Sequence, residues 1–306
     1  MRYWFTYPRT HAGEPAALLT KDALIRVAQA AEASGFSGIG FTDHPAPSRE
    51  WLYSKIGHDA LDPFVALAVV AAATEHIQLI PNILILPYRN PFVVAKAAAT
   101  LDVLSSSRFV LAVALGYMQT EYRALGVEFE RRGAIFDESL AVVRRVLSED
   151  EFSFEAEGYA ADSIAVFPKP TRRLPIWIGG NSAASRRRVA AHGDGWNPFS
   201  APTTEAATMT RTTRIGGLDD LAPLLEHLWR EVEAAGRDRS AIDVVFTNSL
   251  PGALDRHFDP ASHLAAVERM KGMGITWAST IFGTASVDAL IEGIERYGSE
   301  VIAQSR

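Results

Sequence analysis

The 306-residue chain contains no cysteine. Disulfides, thiolate nucleophiles and cysteine-held zinc or iron–sulfur centres are therefore excluded, and the fold has no covalent dependence on the redox state of its compartment. Positive charge is also scarce, with 30 Lys and Arg against 36 Asp and Glu and a formal net charge of −6. A nucleic-acid surface draws its affinity from clustered cations, so this balance argues against such a partner. No uncharged apolar run approaches the roughly 20 residues of a membrane helix. The longest, PFVALAVVAAAT from Pro63 to Thr74, has the length of a core helix. The opening MRYWFTYPRTH lacks the basic-then-apolar pattern of an export signal. No membrane association, no nucleic acid and a cytoplasmic location are expected. The histidines are scattered, with neither HxH nor HExxH spacing, so no metal site is expected.

What is present is alternation. Short β-branched or aromatic runs begin at Arg2 (RYWFTY), Gly38 (GIGFTD), Ile77 (IQLIPNILIL), Arg108 (RFVLAVALG), Ile176 (IWIGG), Gly195 (GWNPF), Asp243 (DVVFTNS) and Trp277 (WASTIFG). Between and after them, apolar residues recur at helical spacing around Leu24–Ser34, Pro63–Thr74, Phe92–Leu104, Phe136–Leu147, Ala183–His192, Leu218–Ala235, Leu264–Met273 and Val287–Ile302. Eight strand–helix pairs in strict order predict an α/β fold, a single (β/α)8 TIM barrel over residues 1–306. Two stretches exceed ordinary connections. Residues 151–174 read as an added hairpin, and the Thr-rich residues 200–217 read equally as a lid loop or a plain insertion.

In such barrels the chemistry sits at the C-terminal ends of the strands. Asp43 and His44 follow the second strand, and a histidine beside a carboxylate there suits acid–base work near neutral pH, while a turn-capping histidine is the plainer alternative. In LPIWIGGNSAASRRRVAAHGDGW, Gly179 and Gly180 end a buried strand, and Asn181 or Ser182 caps the helix that follows. The unpaired N–H groups at that helix start suit a phosphate, and an empty capped turn fits the residue types as well. Phosphate sites in these barrels usually follow the seventh and eighth strands, whereas this turn follows the fifth.

Taken together, GFTDH, NILILPYRNPFVVAKAAATLDVLSSSRFVLAVALGY, YRALGVEFERRGAIFDESLAVVRRVL, the glycine phrase above and the terminal helix after GITWAST resemble the bacterial luciferase-like flavin and deazaflavin oxidoreductases, most of all the F420-dependent branch. The resemblance covers most of the chain. It implies a barrel, usually homodimeric, with a ring cofactor at its C-terminal mouth. It implies a non-prolyl cis peptide near Ile83 and Leu84 supporting the ring, and a phosphate cradle at Gly179, Gly180, Asn181 and Ser182. His44 becomes the leading catalytic candidate, with Asp43 and Gly116 beside the cofactor. Some sugar-phosphate-oxidising relatives carry a glutamate directly after the glycine of the fourth strand. Tyr117 stands there in this chain, which sets that activity in doubt and makes Tyr117 a second catalytic candidate.

Coenzyme F420, a two-electron hydride carrier with a long anionic tail, is the cofactor the resemblance favours. FMN in a monooxygenase fed by a separate reductase is the alternative, and a non-catalytic flavin-binding barrel is a second. Arg172, Arg173 and Arg186–Arg188 flank the glycine turn and offer a basic groove for a tail, although adjacent arginines on a helix point in different directions. A small-molecule substrate is expected against Trp51, Tyr53, Asn248 and Phe282, with the Thr-rich loop near Arg211 and Arg214 closing the pocket.

Overall fold

The computed structural model describes residues 1–10, 16–54, 57–156, 158–247, 250–283 and 286–305. The strands are β1 (Arg2–Thr6), β2 (Gly38–Gly40), β3 (Gln78–Leu79), β4 (Leu84–Ile85), β5 (Leu111–Ala114), β6 (Phe152–Glu155), β7 (Ala160–Ile164), β8 (Ile176–Gly179), β9 (Gly195–Asn197), β10 (Asp243–Thr247) and β11 (Trp277–Ile281). The helices are α1 (Lys21–Ala33), α2 (Arg49–Leu52), α3 (Pro63–Ala73), α4 (Pro91–Leu104), α5 (Gln119–Ala124), α6 (Arg132–Ser148), α7 (Ala183–His192), α8 (Thr204–Met209), α9 (Leu218–Ala234), α10 (Pro260–Gly272) and α11 (Val287–Tyr297). Every helix expected from periodicity is present. α2, α5 and α8 are short additions in the connections. Among the described residues no helix is long and apolar enough to cross a membrane.

Nine strands form one parallel sheet in the order β3-β2-β1-β11-β10-β9-β8-β5-β4. The sheet curls until its ends approach. Leu79 N–H donates to Arg108 O at 3.0 Å and Val110 N–H donates to Leu79 O at 3.0 Å, joining β3 to the residues that lead into β5. The run IQLIPNILIL, expected as one strand, is thus two. β3 pairs with β2, β4 pairs with β5, and the chain between them steps out of the ladder at Pro81, which has no N–H to give. β6 and β7 form the antiparallel hairpin expected within 151–174. The Thr-rich stretch is folded too: Thr203 caps α8 by accepting from Ala206 N–H, and an antiparallel bridge joins Ala201 to Ile215.

The barrel interior is filled mainly by indoles. Trp4, Trp177 and Trp277 pack with Ile80, Val110, Ala112 and Val245, and Trp177 meets Trp4 and Trp277 edge-on at 6.0 and 5.3 Å. Their bulk demands missing side chains opposite. A Cβ on Gly40 would lie 2.2 Å from the Ile80 carbonyl oxygen and 2.8 Å from Trp4 Nε1. Alternate strand residues such as Tyr3, Phe5, Ile39 and Leu79 face outward into the larger sheet–helix layer. Gly40→Ala is expected to cost about 3 kcal/mol, the upper end for overpacking, read as a lower urea midpoint. Gly272→Ala, at a helical position with nothing within 4 Å of the added carbon, should leave the midpoint unchanged or raise it.

Candidate active site at the barrel mouth

The mouth is organised around a buried carboxylate. Asp43 follows β2 and is almost wholly buried. Its Oδ2 accepts from Ile85 N–H at 2.8 Å, and the Arg89 guanidinium grips both oxygens, Nη1 to Oδ2 at 2.6 Å and Nη2 to Oδ1 at 2.8 Å. Burial alone would lower the Arg89 pKa, but the bonds to Asp43 outweigh it and hold the guanidinium above its ordinary value. The Asp43 carboxylate is thus engaged with the chain's own groups, and it ties β4 and the turn after it to the end of β2. That anchorage frames the break in the third strand, where the non-prolyl cis peptide lies between Asn82 and Ile83. Asn82 donates to Thr6 Oγ1 at 3.0 Å and accepts from Asn197 Nδ2 at 3.3 Å. Ile83 is partly buried, whereas Leu84 lies wholly inside the sheet–helix core.

Around His44 the structure gathers an aromatic and acidic cluster. Trp51, His58 and Tyr117 have ring centroids 5.4, 4.8 and 6.2 Å from the imidazole. Trp51 and Tyr117 stand 5.7 Å apart. The Trp51 indole N–H is buried with no acceptor among the described residues. Burial first, and then the Glu121 charge, push the Tyr117 hydroxyl above its ordinary pKa, against the pull of Arg9. Gly116, with φ +74°, turns the chain from the end of β5 into Tyr117.

Glu121 is the residue that sequence reasoning passed over. It lies on α5, four residues beyond Tyr117, and is only 1 % exposed. Its Oε2 stands 3.3 Å from His44 Nδ1 and accepts from the Tyr88 hydroxyl at 3.0 Å, and its Oε1 accepts from Ala46 N–H at 3.2 Å. An acid one helical turn past a strand-end aromatic was the available signal. The other candidates scatter. Tyr53 is 65 % exposed beneath the Arg49 guanidinium and outside the cluster. Asn248 lies outside the described residues. Phe282 corrects the expectation of a mouth residue: it is buried against Phe5 and Phe36, centroids at 5.5 and 6.4 Å, in the sheet–helix layer.

The glycine turn has its own internal logic. A Cβ on Gly179 would lie 2.6 Å from Ile83 Cδ1, so this glycine makes room for the broken strand. Gly180 has φ +107°, and its N–H donates to Asn197 O at 3.3 Å. The Asn181 side chain is spent on the chain itself, donating to Phe199 O and Thr213 O at 2.8 and 2.7 Å and accepting from Phe199 N–H at 2.8 Å. Ser182 caps α7 by accepting from Ser185 N–H at 3.1 Å. The N–H groups of Ala183 and Ala184 precede any intrahelical acceptor and have no hydrogen-bond partner among the described residues. The basic groove does not form as expected. Arg172 and Arg173 bond Ser107 O and Asp194 at the N-terminal end of the barrel. Arg188 pairs with Asp137 at 2.6 Å, and buried Arg186 bonds Asn181 O at 2.7 Å. Among the described residues no group of three or more His, Cys, Asp or Glu is arranged to hold a metal ion.

Asp43→Ala should be costly, because it leaves the buried Ile85 N–H without its acceptor and the half-buried Arg89 guanidinium with Asp62 alone, at 3.2 Å. A loss of about 3 kcal/mol in unfolding free energy, the lower end for breaking a buried pair, is expected, measured by urea denaturation followed by tryptophan fluorescence.

The chain is similar in sequence and in fold to a known group of proteins. Among curated relatives, an uncharacterized protein of Mycobacterium tuberculosis is 33 % identical over 56 % of this chain and 63 % of its own length. An F420-dependent glucose-6-phosphate dehydrogenase of Segniliparus rotundus is 28 % identical over 72 % of this chain and 62 % of its own length. The chain thus spans under two thirds of these relatives. Among solved structures, monooxygenase RslO1 from Streptomyces bottropensis superposes with a TM-score of 0.80 at 17 % identity, each chain covered completely. The oxygenating constituent of 3,6-diketocamphane monooxygenase from Pseudomonas putida, in complex with FMN, gives 0.70 at 16 % identity, covering 99 % of this chain and 98 % of the other. At these identities the superpositions establish the fold, the α/β luciferase-like barrel. The luciferase-like monooxygenase model matches residues 1–250, and the chain belongs to that family.

Proposed function

We propose that the protein is an oxidoreductase that binds coenzyme F420 at the barrel mouth and serves hydride transfer between the deazaflavin ring and a small organic substrate. The observation that carries this reading is the convergence of His44, Tyr117, Trp51 and the Asn82–Ile83 break on one C-terminal face. The residues fit a flat ring that carries a phosphate. Ile83 offers an apolar support beside the side-chain-free Gly179, the free donors at the start of α7 suit a phosphate, and the Trp51 N–H is a buried donor left for a bound group. The cofactor brings the two-electron chemistry, and the protein orients and handles protons. His44 takes or gives the accompanying proton. The Tyr117 hydroxyl, held protonated by burial, donates a hydrogen bond beside it. The F420-dependent relative supports this cofactor.

A second reading has FMN in the same place, reduced by a separate reductase and reacting with oxygen. The fold shared with the FMN-bound diketocamphane enzyme favours it. Titrating the purified protein with F420 and with FMN separates the two, with tight F420 binding expected and tight binding of FMN alone selecting the second. With F420 bound, His44→Ala should leave cofactor affinity unchanged and lower kcat about 10²–10⁴-fold. Unchanged turnover would remove His44 from the chemistry.

The protein is also proposed to be a homodimer. The sequence of α3, PFVALAVVAAA, has no polar face, and a helix apolar all round is normally buried. Here it shows Val65 at 68 % exposure beside α4, which shows Val93 at 65 % and Leu104 at 73 %. A second copy of this chain is the occupant that suits so extended an apolar face. Val65→Glu with Leu104→Glu should convert a dimer to monomer in sedimentation velocity. A monomeric parent protein would overturn the assignment.

A further inference from the structure

We propose that Glu121 is the positioning residue of the site: it fixes the proton of the neutral His44 ring on Nδ1 and so leaves Nε2 as the nitrogen that exchanges protons with substrate. The inference deepens the reading of His44 as the acid–base group and rests on it.

The argument is one of donors and acceptors. A buried carboxylate is tolerated only when hydrogen-bonded, and when ionised it accepts and never donates. Glu121 receives Ala46 N–H on Oε1 and the Tyr88 hydroxyl on Oε2. Burial first, and then Glu121 itself, push the Tyr88 hydroxyl far above its ordinary pKa, so it stays protonated and donates. The third neighbour of the carboxylate is His44 Nδ1, at 3.3 Å from Oε2. That contact is favourable only with hydrogen on Nδ1, and a neutral imidazole so placed carries its lone pair on Nε2. When Nε2 takes a substrate proton, the ring becomes an imidazolium whose other N–H already points at a negative charge.

The same carboxylate also holds the backbone of the loop that carries His44, through Ala46. Base and loop are therefore fixed by one group. The other groups facing the ring do not replace it. His58 and Tyr117 meet the ring edge-on and carry no carboxylate, Trp51 is apolar at its face, Arg9 acts on Tyr117, and Asp43 is paired with Arg89. Glu121 is the carboxylate in contact with the ring among the described residues.

Ring nitrogen NMR on 15N-labelled protein tests this with no cofactor added, using His44→Gln to assign the signal. Neutral His44 should show the Nδ1–H tautomer. Glu121→Leu should move the tautomer population about tenfold or more toward Nε2–H, the effect of losing a hydrogen bond to a charged group, with the His263 signal unmoved. Tyr88→Phe keeps the carboxylate and removes a competing donor. It should move the Nδ1–H proton downfield, and it serves as the test should Glu121→Leu fail to fold. An Nε2–H tautomer in the parent protein, or an Nδ1–H signal that neither variant moves, would overturn the proposal. Because no cofactor is present, failure of F420 and FMN to bind would sink the oxidoreductase reading and leave this result standing.

Discussion

The mouth of the barrel hangs on the grip of one aspartate. Asp43 holds the Ile85 amide and the Arg89 guanidinium, and these lie on either side of Tyr88. Tyr88 reaches Glu121, and Glu121 reaches back to His44 and Ala46, beside Asp43 again. The contacts close a ring that starts and ends on the loop after β2. A buried ion pair of this kind adds little net stability over an apolar substitute, yet removing one partner is expensive because the other is left charged in a dry place. Here it also ties β4 and the turn after it to the loop that carries His44.

Beneath that ring the barrel is rigid for a different reason. Three indoles occupy the axis, and glycine at position 40 admits one of them at near-contact distance. Interiors packed in this way have discrete arrangements and deform little. The mouth residues are therefore carried on a closely packed floor, the kind of support that holds reacting groups to within fractions of an ångström.

Much of this was legible from the chain alone, and the gaps have physical causes. Strand and helix periods identified the barrel because each element buries one face, and the structure starts the helices at Pro63 and Pro91 under Asp62 and Asn90 caps. The third strand read as a single run because apolar character does not report hydrogen bonding, and the ladder breaks at Pro81 within that run. Phe282 was misread through parity. Trp277 faces the axis and Ala278 the helices, so counting in twos along the strand puts Phe282 outside. Arg172 and Arg173 are close to the glycine turn in sequence, but they precede a strand that spans the barrel and so emerge at its other end. Glu121 escaped notice because a lone acid on a short helix carries no motif; its meaning comes from three partners drawn from two other connections.

Asn181 has a role that reaches past the turn it occupies. Its amide clasps Phe199 on one side of the Thr-rich insertion and Thr213 on the other, just where Ala201 and Ile215 bridge. The insertion is therefore a stalked loop with both feet bolted to the residue that follows Gly180. The two ends of the segment carrying α8 are therefore held together at a single residue, so the corner that shapes the glycine turn also sets where that segment stands.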